Sequence, residues 1–366
     1  MKRFKAALAL FSIWALLLWP VSRDLRAQET FNNQLMAPNG ISTEISGNVH
    51  IHSKGLSNTW LSTLEPDGDE IRQVPVGSGT LDVLNFEESY LASDPDPQAD
   101  RLYLLSPIGD FLVFEASTLQ EIGRFNIAED LTIDTSNVYD VATSSSMNTF
   151  VFGNITTYGD IAAFRPIDNI SPAWFVTGLS DDLAFVMRIP MRDFPDEVTE
   201  AEVILMSSVV SLFTLNRARG IAIYTQPDAN GDYIGQTTLP ITAASPTCPD
   251  AVIRFNLSIS DVQIVPNTAG VPSWGMDVDD NGFYLVTGGV GNGDCSPGGG
   301  TGHLGFICHN WAMNNLRSFP FPSFPASRPG DVAISSSPAN LIYITLPNVN
   351  TVVRFPEETI VQQPCQ

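Results

Sequence analysis

Positive charge is scarce in this chain: 18 Lys and Arg stand against 40 Asp and Glu, with only four histidines. The formal charge is -22. That balance excludes a nucleic-acid binder, because affinity for polyanions arises where Lys and Arg displace counterions from phosphates. Cysteine is limited to Cys248, Cys295, Cys308 and Cys365, all in the last third. Their spacing is too wide for a compact zinc site built from CxxC pairs. Long amphipathic runs are missing, while 27 Gly and 26 Pro punctuate the chain, which argues against a helical bundle. There is no GxSxG elbow, no HExxH, no GxxxxGK[ST] and no SxDxGxxW box. The glycine-rich stretch 288–302 is followed by no helix to receive phosphates, so it is not a dinucleotide loop. A hydrophobic content of 43% excludes a disordered chain.

What is present begins with an address. Lys2, Arg3 and Lys5 precede a mostly apolar run from Ala6 to Trp19, and Leu25-Arg26-Ala27 has the form of a cleavage site. Residues 1–27 are therefore expected to be a signal peptide, because the run is shorter than the ~20 residues of a bilayer span. Cleavage removes five of the basic residues and one of the acidic, leaving 13 against 39 and a single lysine, Lys54. No later segment is expected to cross a membrane, and the expected location is secreted or periplasmic. In that compartment four cysteines suggest two disulfides. Cys248–Cys295 would tie neighbouring repeats, and Cys295–Cys308 would close one hairpin.

Repeats decide the architecture. Gly220 to Tyr224, Gly275 to Val278 and Gly330 to Ile334 are short strands, each followed by a polar turn and a more apolar strand. Gly and Asn in those turns supply the positive φ of a tight hairpin. Weaker copies lie at Val49–His52, Asp100–Leu105 and Tyr139–Ala142. Second strands starting near 49, 102, 150, 203, 233, 283 and 341 predict an all-β fold, a β-propeller of seven blades, with six as the alternative. The gap between 203 and 233 is the shortest. A pair of sandwiches and a solenoid are the competing all-β folds. The expected organisation is a lead-in over 28–47 and a propeller over 48–366.

Two stretches carry a resemblance. Pro329-Gly-Asp-Val-Ala-Ile-Ser, with Asn340-Leu-Ile-Tyr-Ile-Thr and Asn350-Thr-Val-Val-Arg-Phe355, resembles an NHL or YVTN-type propeller repeat, as does Arg101-Leu-Tyr-Leu-Leu with Asp110-Phe-Leu-Val-Phe-Glu. The resemblance implies the fold rather than an activity, since such propellers include lactonases, lyases, binding modules and surface proteins.

Candidate site residues follow from the blade geometry. Asp82, Asp140, Asp277 and Asp331 each precede Val where an inner strand begins, so they are expected to converge at the channel mouth. There they would hold Ca2+, or a cationic or polyhydroxylated ligand; alternatively, each bonds the amides of its own entry loop. Asp277-x-Asp279-x-Asn281-Gly282 has the start of a calcium loop, but position twelve is Gly288 rather than Glu, and a hairpin turn explains it equally. His50 and His52 share one face of a strand and read as surface residues. The expected function is an exported scaffold that binds a small molecule, glycan or protein through its channel-mouth loops. The enzymatic alternative is a calcium-assisted hydrolase or lactonase, distantly similar to gluconolactonase-like propellers; a quinone- or metal-dependent oxidoreductase is a third.

Overall fold

The computed structural model describes residues 29–32, 34–55, 58–76, 89–147, 154–166, 171–180, 183–191, 198–208, 220–227, 230–240, 250–265, 273–287, 303–308, 317–320, 329–335 and 339–361. After strand β1 (Glu29–Asn32), the chain forms sheet one from β2 (Pro38–Thr43), β3 (Val49–Lys54), β4 (Thr59–Leu64) and β5 (Glu70–Val76). Sheet two is β6 (Tyr90–Ser93), β7 (Arg101–Leu105), β8 (Asp110–Glu115) and β9 (Gln120–Asn126). Three short strands follow: β10 (Thr132–Asp134), β11 (Val138–Asp140) and β12 (Ser145–Met147). They extend the outer edge of sheet three, whose main strands are β13 (Ile155–Phe164), β14 (Ala173–Ser180), β15 (Leu183–Pro190) and β16 (Glu200–Ser208).

Sheet four contains β17 (Ile221–Ile223), β18 (Ile234–Pro240), β19 (Asp250–Asn256) and β20 (Val262–Val265). Sheet five contains β21 (Ser273–Val278), β22 (Gly282–Thr287), β23 (His303–Cys308) and β24 (Arg317–Pro320). Sheet six is β25 (Val332–Ser335), β26 (Leu341–Leu346) and β27 (Thr351–Pro356), completed by β1 from the other end of the chain. The six first strands touch in a closed cycle, β2 to β6 to β13 to β17 to β21 to β25 and back to β2. The fold is an all-β propeller.

The expected count of seven regular blades is corrected. Among the described residues five sheets are four-stranded and one is seven-stranded. Second strands of separate blades were expected near 150 and 203; the first of these stretches lies outside the described residues, and the second is β16, the last main strand of sheet three. Instead β13 to β16 form one antiparallel sheet, and β10 and β11 run parallel to β16 on its outer edge. Those strands are long, and β14 (AWFVTGLS) is buried throughout, so it lacks the alternation that marks a half-exposed strand. Within 28–47, the expected lead-in, β1 and β2 contribute strands to two sheets.

Second strands such as β26 are apolar because neighbouring sheets cover both faces. The largest cluster fills the space between sheets two and three, where the Trp174 ring meets Tyr103 and Phe111 at 5.3 and 4.8 Å. Closure of the ring depends on β1. Phe31 is buried there and meets Tyr343 edge-on at 4.8 Å, with the Arg354 guanidinium 5.6 Å from its ring centre. Phe31→Ala is expected to cost ~3 kcal/mol. A thermal melt at the wild-type temperature would show that β1 is not the latch.

Candidate functional site

The first strands surround a cavity of about 250 Å3, lined by residues from all six sheets. Each junction between successive first strands carries a side-chain link. Sheet one meets sheet two through Ser42 Oγ, which donates to Ser93 Oγ and accepts from the Ser93 amide, both at 2.7 Å. Sheet two meets sheet three where Arg165 Nε donates to Asp94 Oδ1 at 2.6 Å. Asp94 also accepts from the buried Tyr103 hydroxyl, whose own ionisation is pushed up by burial and by that carboxylate.

Asp160 on β13 makes the widest link. Its Oδ2 accepts from the Ile221 amide of sheet four at 2.9 Å and from the Met276 amide of sheet five at 3.2 Å. The Tyr224 hydroxyl of sheet four donates to Asp280 of sheet five at 3.1 Å. Asp277 Oδ2 accepts from the Ile334 amide of sheet six at 2.8 Å. Asp331 Oδ2 closes the circle on the Ile41 amide of sheet one at 3.1 Å. The other oxygens of Asp160, Asp277 and Asp331 accept from the amide of the next residue, at 2.8 to 2.9 Å. Asp therefore serves as a two-armed staple, one arm on its own strand and one on a neighbour.

The electrostatic consequence is an axis that favours protons. Burial raises Asp160 and Asp331 well above the usual carboxylate range, and repulsion from Asp277 and, for Asp331, from Asp160 adds to it. Burial likewise raises half-buried Asp277 to about 7. The amide hydrogen bonds oppose the shift in all three. Asp279 is also raised to about 7, by burial and then by the adjacent Glu357.

Of the four aspartates expected to converge, Asp277 and Asp331 do so. Asp140 does not: it lies on β11 at the outer edge of sheet three and accepts from the Ala142 amide and Thr143 Oγ1 at 2.9 and 2.7 Å. Asp82 lies outside the described residues, as do Cys248, Cys295, Cys365 and the glycine-rich stretch. Cys308 ends β23. Asp160 was missed, yet a signal existed: Gly159-Asp160-Ile161-Ala162 repeats the pattern of Gly330-Asp331-Val332-Ala333. The two aspartates have the same role, three sheets apart.

The calcium-loop candidates behave as a hairpin turn. Asp279 Oδ1 accepts from the Asn281 and Gly282 amides at 2.8 and 3.1 Å, and Asn281 Nδ2 donates to Glu357 at 2.7 Å. Among the described residues no three His, Cys, Asp or Glu side chains are grouped to hold a metal ion. The histidines are corrected from surface to core, since His50 and His52 are both fully buried. His50 lies between Thr63 Oγ1 at 2.9 Å and Glu44 Oε1 at 2.7 Å. Among the described residues His52 has no hydrogen-bond partner, and burial lowers it to about 3.

No family model matches this chain, and no curated protein does. Solved structures do. A streptogramin B lyase aligns over 89% of this chain and 96% of its own, at 10% identity and a TM-score of 0.50. The WD40 repeats of RRP9 align over 90% and 97%, at 11% identity and a TM-score of 0.50. At these identities the likeness concerns the fold alone. The closed cycle of sheets and both likenesses lead to one conclusion, that this chain is a β-propeller repeat protein.

Proposed function

We propose that this protein is an exported β-propeller that binds a small molecule in its central cavity, with the seven-stranded sheet counting as a sixth, outwardly enlarged blade. The observation that carries this reading is the cavity of about 250 Å3 on the axis, to which every first strand contributes. A concave site with a few convergent polar groups on a rigid scaffold is where ligands usually bind. The sequence supports export, through its basic start, apolar run and Leu25-Arg26-Ala27.

The calcium-assisted lactonase reading is the weaker one. It needs carboxylates free to coordinate, whereas Asp277 already accepts amide hydrogen bonds on both oxygens. Half-buried Ala163 lines the cavity and also packs against the core between sheets two and three, so Ala163→Phe narrows the cavity, and its unliganded melting temperature is compared with the wild type first. A thermal-shift panel of amines, sugars, lactones and divalent cations is expected to contain compounds that stabilise the wild type and not this variant. If wild type and variant respond alike to every compound, the cavity is not the site. Lactone turnover abolished by chelator would replace binding with catalysis. For export, the mass of the protein recovered from its native host is expected to place the first residue at Gln28.

A further inference from the structure

We propose that Cys308 and Cys365 form a disulfide that fastens the chain beyond β27 to sheet five. Four cysteines allow three pairings, and the strand topology separates them. Cys248 falls between β18 and β19, and Cys295 between β22 and β23. Those connections leave from the paired strand ends Pro240–Asp250 and Thr287–His303. Cys308 ends β23 on the other side of the ring, directly across from Gly282. A Cys295–Cys308 bridge would take the chain before His303 back along the whole of β23, about 17 Å. Among the described residues both edges and both faces of β23 are occupied. It is flanked by β22 and β24, Leu304 and Phe306 pack toward sheet six, and Ile307 packs toward sheet four.

The chain after β27 arrives on the same side as Cys308. Asn281, the residue before Gly282, donates to Glu357 Oε1 at 2.7 Å, and the Tyr284 hydroxyl donates to the same oxygen. Glu357 is buried there, and Ile360 is buried in the apolar cluster of Leu304 and Phe306. Val361 packs on that cluster, and its amide donates to the Glu357 carbonyl at 3.0 Å. By strand alternation position 308 belongs with Leu304 and Phe306, on the face that this segment meets. Cys365 is four residues past Val361, a reach of up to about 14 Å, and a disulfide spans a further ~6 Å between Cα atoms. Cys308 is ~5 Å across from Gly282, one residue from the Asn281 that anchors Glu357, so Cys365 can reach it.

The bond forms by thiol–disulfide exchange. One protein thiolate attacks a small oxidant of the glutathione disulfide type and expels one thiol; the second attacks the mixed disulfide and expels the other. Two electrons and two protons pass to the released thiols. Export would supply the oxidising compartment, so formation in the cell rests on that reading, whereas the pairing rests on the strand geometry.

The test is chymotryptic mapping of the purified protein, blocked with N-ethylmaleimide without reduction, because chymotrypsin cuts at Leu304 and Phe306, between Cys295 and Cys308. A Cys308–Cys365 cross-linked peptide is expected, both from protein recovered from its host and from reduced protein reoxidised with glutathione disulfide. Cys308→Ser and Cys365→Ser are each expected to lower the melting temperature by roughly 5 °C, and the double variant no further. A link from Cys308 to Cys295 or Cys248, a blocked Cys308 after reoxidation, or additive losses in the double variant overturns the pairing. Four blocked thiols in host protein, with the Cys308–Cys365 link appearing on reoxidation, support the pairing and remove export instead.

Discussion

Gly275→Ala is expected to destabilise the propeller by about 3 kcal/mol, the upper end for an added methyl in a packed interior. A Cβ at this position would lie 2.0 Å from Asp331 Oδ1 and 2.7 Å from the Asp331 Cα. The carboxylate cannot swing aside without giving up the Ile41 and Val332 amides, and the Cα belongs to the neighbouring sheet. Relief therefore requires sheets five and six to move apart on the axis, where sheet one closes the ring. Chemical denaturation reads the effect as a lower midpoint at unchanged slope. A midpoint equal to wild type would mean that the first strands are not as close as described.

The second large effect is the dependence of stability on pH. Asp277 has a folded value of about 7 against an ordinary 3.8, and Asp160 and Asp331 are displaced in the same direction. A carboxyl raised on folding contributes stability that is fully present below its unfolded value and is lost as pH rises through the folded one. For Asp277 alone, the move corresponds to ~4 kcal/mol lost between about pH 4 and about pH 8. His52 acts in the opposite sense. Its folded value is depressed from 6.5 to about 3, so its contribution is present above 6.5 and is lost as pH falls toward 3. Four raised carboxyls, Asp279 among them, outweigh one imidazole above their unfolded values and place the stability maximum on the acid side of neutrality, at about pH 4. Denaturant titrations across pH, at high salt to screen the acidic surface, are expected to show that maximum. Asp277→Asn should flatten the neutral limb and leave the acid limb in place. A maximum above neutrality would contradict the buried axial carboxyls.

Local chemistry made much of the fold legible. The hairpins β17–β18, β21–β22 and β25–β26 stand where polar turns with Gly or Asn separate short strands. Sheet three was misread because a strand covered on both faces has no period of two, so Ala173 to Ser180 carries no register. Asp277 and Asp331 were found from a repeated Asp-Val, and Asp160 was passed over because Ile follows it. Asp140 fits the same pattern, yet it sits in the outer part of sheet three, between β12 and β16 and far from the axis, since a dipeptide carries no information about its place in a ring.

The residues alone determined a tandem all-β chain, its acidity, its hairpins and its lack of familiar catalytic motifs. These follow from short-range properties: φ at turns, apolar alternation and charge count. The tertiary structure alone decided how many sheets share the axis, that the first strand completes the last sheet, that two histidines are core residues, and which aspartates meet. Each of these depends on contacts between residues far apart in the chain. Glu29 opposite Arg354 and Ile41 beside Asp331 become neighbours only when the ring closes.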